Sequence, residues 1–194
     1  MSDRQTQILE AAVRVIARSG VRGLRVENLA KEAGISTALI YYHFQDRAGV
    51  LRRALEHIND RAERYTEDAR LSGDAREQLE QALLLEIQST PAVRENSIAW
   101  GELRATAVFS EDLREQLRNA TQAWADEVEA LIRQAQTDGL VHAEAEPADA
   151  AGRLTALVEG LSERWLSGSI TLNRARNLLS GAINAELGRR PAMN

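Results

Sequence analysis

Tyr41, Tyr42, His43 and Phe44 follow one another in a chain of 194 residues that holds only three Trp, three Tyr and two Phe. Phenol hydroxyls and an imidazole hydrogen-bond phosphate oxygens and base edges. They do catalytic work only when a partner group stands beside them. No such partner is legible. The three histidines, His43, His57 and His142, fall in three separate segments. The H-E-x-x-H, G-x-S-x-G and glycine-rich phosphate-loop patterns are missing. Glu111-Asp112 and Asp126-Glu127 read as solvated helix faces. With no cysteine, thiolate metal sites and disulfides are excluded. The expectation is a protein with no catalytic residue, no metal and no cofactor, whose chemistry is recognition.

The elements that must position this group are helices. Apolar residues recur with a period near 3.6 throughout, and no segment sustains a period of 2. Ile8, Ala12, Val15 and Ile16 make a first stripe, closed by Ser19-Gly20-Val21 in the manner of a glycine C-cap. Val26, Leu29, Ala30 and Ala33 make a second, ending at Gly34. A third short helix spans about Thr37 to His43. Gly34-Ile35-Ser36 between them is the length and composition of a helix-turn-helix connection. Ser36 is placed to cap the third helix, and Ile35 and Ile40 to staple it. Ile40 and Phe44, four apart, turn to the core. Thr37, Ala38, Leu39, Tyr41, Tyr42 and His43 are left around the rest of the helix. Small residues at its start allow close approach to base edges. Ala38 or Leu39 suits a thymine methyl, and the hydroxyls and His43 suit phosphates. Ser36 and Arg47 extend the candidate DNA-binding set.

Asp46 suits the N-cap of a fourth helix through Leu51, Leu55, Ile58, Ala62 and Tyr65. A break follows at residues 71–74. Leu79, Leu83 and Ile87 mark a fifth helix, closed before Pro91. A sixth spans Val93 to Phe109. Ser110 is placed to cap a seventh that runs to Gly139. Pro147 opens an eighth, Thr171 precedes a ninth, and the tail from Gly188 frays. The fold class is all-α with about nine helices: an N-terminal three-helix module, residues 1–48, and a larger body, residues 49–194.

The run GLRVENLAKEAGISTALIYYHFQDRAGVL resembles the N-terminal module of the TetR family of bacterial transcriptional regulators. The likeness lies in the order of its features and covers about residues 4 to 55. It implies that the Y-Y-H-F helix is a recognition helix, with Phe44 in the core and Tyr41, Tyr42 and His43 on the DNA face. It implies a homodimer on double-stranded operator DNA, a repressor rather than an activator, released by a small-molecule effector. Two departures stand out. Arg25 occupies the start of the second helix, where relatives often carry a capping Ser or Thr. Glu27 stands where some relatives place a basic base-reading residue.

By that resemblance the body would enclose an effector pocket and the last two helices would form the dimer. Leu84, Glu86, Trp100, Arg104, Phe109 and Trp124 are the pocket candidates. Glu86 follows the apolar run Leu83-Leu84-Leu85, so a partly buried carboxylate is expected, facing a cationic ligand or Arg104. Trp and Phe in helices are more often plain core. Leu154, Leu157, Val158, Leu161 and Trp165, with Leu179 and Ile183, are the dimer candidates. An intramolecular core helix explains that face nearly as well. An alternative reading keeps the scaffold and removes the effector: an architectural or cell-division DNA-binding protein.

Charge agrees with a DNA-binding end. Residues 1–53 carry nine Lys or Arg against five Asp or Glu, and the remainder carries fifteen against twenty-four. A basic module attached to an acidic body is a nucleic-acid footprint confined to one end. MSDRQTQILE is polar and charged, unlike a secretory leader, and no apolar run of membrane-spanning length occurs. The expected setting is cytoplasmic, nucleoid-associated when bound to DNA, with no membrane partner.

Overall fold

The computed structural model describes residues 3–70 and 73–188. Leu71, Ser72 and the tail from residue 189 lie outside the described residues. Those described form nine α-helices and no strand: α1 (Asp3–Gly23), α2 (Val26–Ala33), α3 (Thr37–Phe44), α4 (Arg47–Arg70), α5 (Ala75–Leu85), α6 (Pro91–Ala107), α7 (Glu111–Thr137), α8 (Pro147–Leu166) and α9 (Leu172–Leu187). The termini follow local chemistry. The side chains of Ser36, Asp74 and Thr171 accept the N–H of Leu39, Glu77 and Arg174 at the starts of α3, α5 and α9. Asp46 accepts the N–H of Gly49 at 2.7 Å beside the start of α4. Gly34 ends α2 in the left-handed region, φ 66° and ψ 36°. Pro147 opens α8 at a position where its missing N–H costs nothing.

The helices divide into two compact units. One comprises residues 1–62 and 94–120, the other 63–93 and 121–194. The first is built on one core in which α1, α2, α3 and the start of α4 share side chains with Ala99, Leu103 and Ala107 of α6 and Leu113 of α7. The N-terminal module therefore does not close on itself at residue 48. The second unit is built on Leu79, Leu83 and Ile87 of α5, Val128 and Ile132 of α7, and the facing stripes of α8 and α9.

Two expectations are corrected. Helix α6 runs from Pro91 to Ala107, two residues earlier at each end than the apolar pattern predicts. Its end is fixed by Arg114, which donates from Nε to Ala107 O at 3.1 Å and from Nη2 to Val108 O at 2.9 Å. The larger correction concerns α8 and α9. Leu154, Val158, Leu161, Leu179 and Ile183 are buried within the single chain, in the second unit's own core. Their wide apolar face is used up by α5, α7 and each other, so they are not the outer surface of a dimer. Leu157 and Trp165, at the margin of that core, stay partly exposed.

This fixes the outcome of a charge at position 161. Leu161→Glu places a carboxylate in a closed apolar core, a loss on the order of 4 kcal/mol. The second unit should then unfold at far lower denaturant in a urea titration followed by circular dichroism. A variant with the wild-type midpoint that has simply become monomeric would restore Leu161 to the dimer surface.

Candidate nucleic-acid interface and effector site

An eight-residue helix does not hold its shape alone in water. Helix α3 is held by Ile40 and Phe44, both buried in the first core, with Ile35 against them. That anchoring turns the opposite side outward. Tyr41 is 49% and Tyr42 81% exposed, an unusual state for aromatic side chains on a helix. Ala38 is exposed, and Thr37, Leu39 and His43 are half-buried. The His43 ring stands edge-on to Tyr42, with centroids 5.1 Å apart. Arg25, Glu27 and Ser36 are exposed too. Arg25 occupies the N-cap of α2 and makes no side-chain cap bond there, as expected for a residue with no acceptor oxygen.

Helix α2 is locked to α1 from behind. Arg14 and Arg18 each reach Glu32 at 2.9 Å, and their hydrogen bonds hold its carboxyl below the usual range. Gln7 Nε2 donates to Ala33 O at 2.8 Å. The exit of α3 is equally tight. Gln45 takes φ 66° and ψ −55°, and the Asp46 N–H bonds back to Phe44 O at 2.7 Å, a strained γ-turn. A Cβ at Gly49 would meet Phe44 O at 2.1 Å, so only glycine lets α4 begin this close to the end of α3.

Arg47, expected to contact a phosphate, is exposed and also binds the protein's own backbone. Its Nε donates to Leu24 O at 2.7 Å and its Nη2 to Val21 O. The guanidinium ties the first turn of α4 to the corner between α1 and α2. Sequence gives no sign of this, because the carbonyls it reaches lie 23 and 26 residues away.

The six pocket candidates do not fall in one unit. Trp100, Arg104 and Phe109 belong to the first, Leu84, Glu86 and Trp124 to the second. Phe109 is corrected outright. It stands in the turn after α6, 90% exposed beside an exposed Val108, and lines no enclosed space in its unit. In that unit Trp100 packs on the core and the Arg104 guanidinium lies 5.4 Å from its ring centroid, a cation–π contact. In the other unit Leu84 is buried and Trp124 packs against the core.

Glu86 is the chemically distinctive residue. It caps the end of α5, with some surface left accessible and its carboxylate densely surrounded by protein. The Tyr65 hydroxyl of α4 donates to Glu86 Oε2 at 2.6 Å. Burial pushes the Glu86 carboxyl up to about 7. The Tyr65 hydrogen bond opposes the rise, and the negative charge of Glu127 adds to it. Trp124 and Glu127 are three apart on α7, on one side of it, so the side that acts on Glu86 carries an indole and a second carboxylate. Arg176, missed in the sequence, fixes this segment: its Nη1 donates to Leu84 O at 2.7 Å and Ile87 O at 2.8 Å. Another missed residue, Arg76, is buried in the same unit and reaches Asn184 Oδ1 at 3.1 Å. It stands among Asp74, Ala75, Glu77 and Gln78 in the first turn of α5, so no apolar stripe flags it.

Comparison with known proteins agrees with this geometry. The family profile "Bacterial regulatory proteins, tetR family" matches residues 8–54, and "BetI-type transcriptional repressor, C-terminal" matches residues 75–188. The transcriptional regulator PksA of Bacillus subtilis is 28% identical, over 89% of this chain and 83% of its own. The regulator BetI of Stenotrophomonas maltophilia is 27% identical, over 97% and 89%. A TetR-family regulator from Rhodococcus sp. superposes with a TM-score of 0.90 at 48% identity, over 96% of this chain and all of its own. A regulator from Saccharomonospora viridis, solved in complex with choline, superposes with a TM-score of 0.87 at 27% identity, over 98% of this chain and all of its own.

The raised Glu86 pKa has a signature in stability. A carboxyl that binds its proton more tightly folded than unfolded favours folding below its usual value of 4.5, and that contribution is lost as pH climbs through about 7. Glu86→Gln, permanently neutral, escapes the loss. Between pH 5 and pH 8 the variant should gain on the wild type by up to about 3 kcal/mol. Thermal midpoints at a series of pH values measure this. Parallel curves for the two proteins would show that Glu86 ionises normally.

Proposed function

Because the chain belongs to the tetR family of bacterial regulatory proteins, we propose that this transcriptional regulator is a homodimeric repressor that reads operator DNA with α3 and is released by an organic cation bound beside Glu86. The observation that carries the DNA-binding half is the outward aim of Tyr41 and Tyr42 on a helix anchored by Ile40 and Phe44. Arg25, Glu27, Ser36, Thr37, Ala38, Leu39 and His43 surround them on α2, the turn and α3. In this reading Ala38 and Leu39 touch base edges, and the hydroxyls and His43 hold phosphates. Arg47 contributes by fixing the corner behind the recognition helix.

The effector half rests on Glu86, Tyr65, Glu127 and Trp124. The buried Glu86 carboxyl, raised further by the charge of Glu127, is relieved by a positive ligand. The Tyr65 phenol bonded to Glu86, and the Trp124 indole three positions before Glu127 on α7, suit an alkylated ammonium group. The choline complex of the Saccharomonospora regulator supports that class. A ligand changes DNA affinity only by preferring one conformation over another. Dimerisation is assigned to the outer side of α8 and α9. Gly152, Ala156 and Gly160 are exposed at spacings of four there, and no atom lies within 4 Å of a Cβ placed at Gly152 or Gly160. Leu157 and Trp165 flank that stripe.

The test begins with a DNA duplex selected by the wild-type protein from a random pool. Adding choline chloride, with sodium acetate and sodium chloride as controls, should weaken binding to that duplex, and Glu86→Gln should blunt the response. Cations that stabilise the protein yet leave DNA affinity unchanged would favour the architectural alternative. Tyr42→Phe should weaken binding about fivefold, the worth of one phosphate hydrogen bond, and equally for duplexes differing at any single base pair. A loss concentrated at one base pair would make Tyr42 a base reader.

A further inference from the structure

Helix α1 is broken. Gly20 takes φ 68° and ψ 172° inside it, a conformation open essentially to glycine alone. The break turns the next N–H, that of Val21, off the helical ladder. It is taken up by Glu102 Oε2 of α6 at 3.0 Å, from 81 residues away in sequence. The approach is close enough that a Cβ on Gly20 would stand 2.7 Å from that same oxygen. The carbonyl of Val21 is held as well, by Arg47 Nη2 at the start of α4. One peptide segment is thus gripped on its N–H side by α6 and on its C=O side by α4. It leads directly through Leu24 and Arg25 into α2.

We propose that Glu102 is a positioning residue for DNA binding: its carboxylate, bonded to the Val21 N–H that the Gly20 break presents, holds the corner between α1 and α2 and through it the aim of the recognition helix. The inference rests on the DNA-binding reading above. It goes beyond that reading because Glu102 lies in α6, outside the helix-turn-helix segment. Every residue concerned belongs to the first compact unit. The chain leaves α3 for α4 through two residues, and Arg47 stands at the first position of α4. A corner free to move therefore frees the start of α4, which sits against the end of α3 at Gly49 and Phe44.

The sign of the effect separates positioning from simple charge. An exposed carboxylate in a DNA-binding unit repels phosphates, so its removal by itself strengthens binding to every duplex. Positioning requires the opposite for Glu102→Ala. That variant should bind the duplex selected by the wild type about tenfold more weakly, the worth of a hydrogen bond to a charged group. Its affinity for random-sequence duplex should not fall. Glu102→Gln keeps an acceptor oxygen and should bind the selected duplex as tightly as wild type, or more tightly. Amide hydrogen exchange in the free protein reports the bond itself: Val21 should exchange slowly in the wild type and Glu102→Gln, and faster in Glu102→Ala. Equal or tighter binding by Glu102→Ala overturns the proposal, even if Val21 exchange has risen. Weakening of Glu102→Gln to the level of the alanine variant overturns it too. A wild-type protein that selects no duplex from the pool overturns the DNA-binding reading and this inference with it, while Val21 exchange still shows whether the bond exists.

Discussion

The structure depends on the fact that an eight-residue helix must borrow its order. Helix α3 contributes two side chains to a core, Ile40 and Phe44, and gains from that core its position and its rotation. Each outward residue owes its exposure to those two inward ones. Had the apolar pair been shifted by one position, Tyr41 would turn inward and the outward face would be a different set. The cap from Ser36, the left-handed Gly34 and the strained turn at Gln45 all serve that one placement. Strain in the turn is tolerated because residues on both sides are pinned: Phe44 by the core and Asp46 by its bond to the Gly49 N–H.

The same core explains why the DNA-binding segment is not an independent piece. Ala99, Leu103 and Ala107 of α6 and Leu113 of α7 close it from the far end of the sequence. A motif of some fifty residues buries too small a share of its surface to be robust alone. Completing its core with body helices answers that shortage, and it links the aim of α3 to the placement of α6. Helices α4, α6 and α7 each pass from one compact unit into the other within a single element.

What the sequence discloses divides along a physical line. Capping and periodicity are local, so helix count, the Gly34-Ile35-Ser36 turn, Pro147 at N1 and Thr171 at the start of α9 are all legible. The outward aim of Tyr41 and Tyr42 is legible too, because Ile40 and Phe44 fix the inward direction. Partner identity is not local. The stripe through Leu154, Val158 and Leu161 announces burial but not against what, and α5, α7 and α9 of the same chain supply the answer. Phe109 has the composition of a core residue, but its helix ends two positions earlier because Arg114 takes the last carbonyls. Arg47 and Arg176 each satisfy backbone carbonyls distant in sequence, which no local pattern announces.

Glu86 shows how these two kinds of information combine. The run Leu83-Leu84-Leu85 signals that the residue after it is carried into a partly buried place. The three-dimensional arrangement supplies Tyr65 in hydrogen-bond range and Glu127 as a like charge. Burial and like charge both favour the protonated acid, and the phenol alone opposes them. A buried carboxyl kept near neutrality is costly to retain as a pure structural element, because Gln or Leu would serve the core better. A positive charge beside Glu86 would reverse the balance, since it favours the ionised carboxylate. Arg176 acts on the same segment, because its bonds to Leu84 O and Ile87 O fix the backbone that presents Glu86.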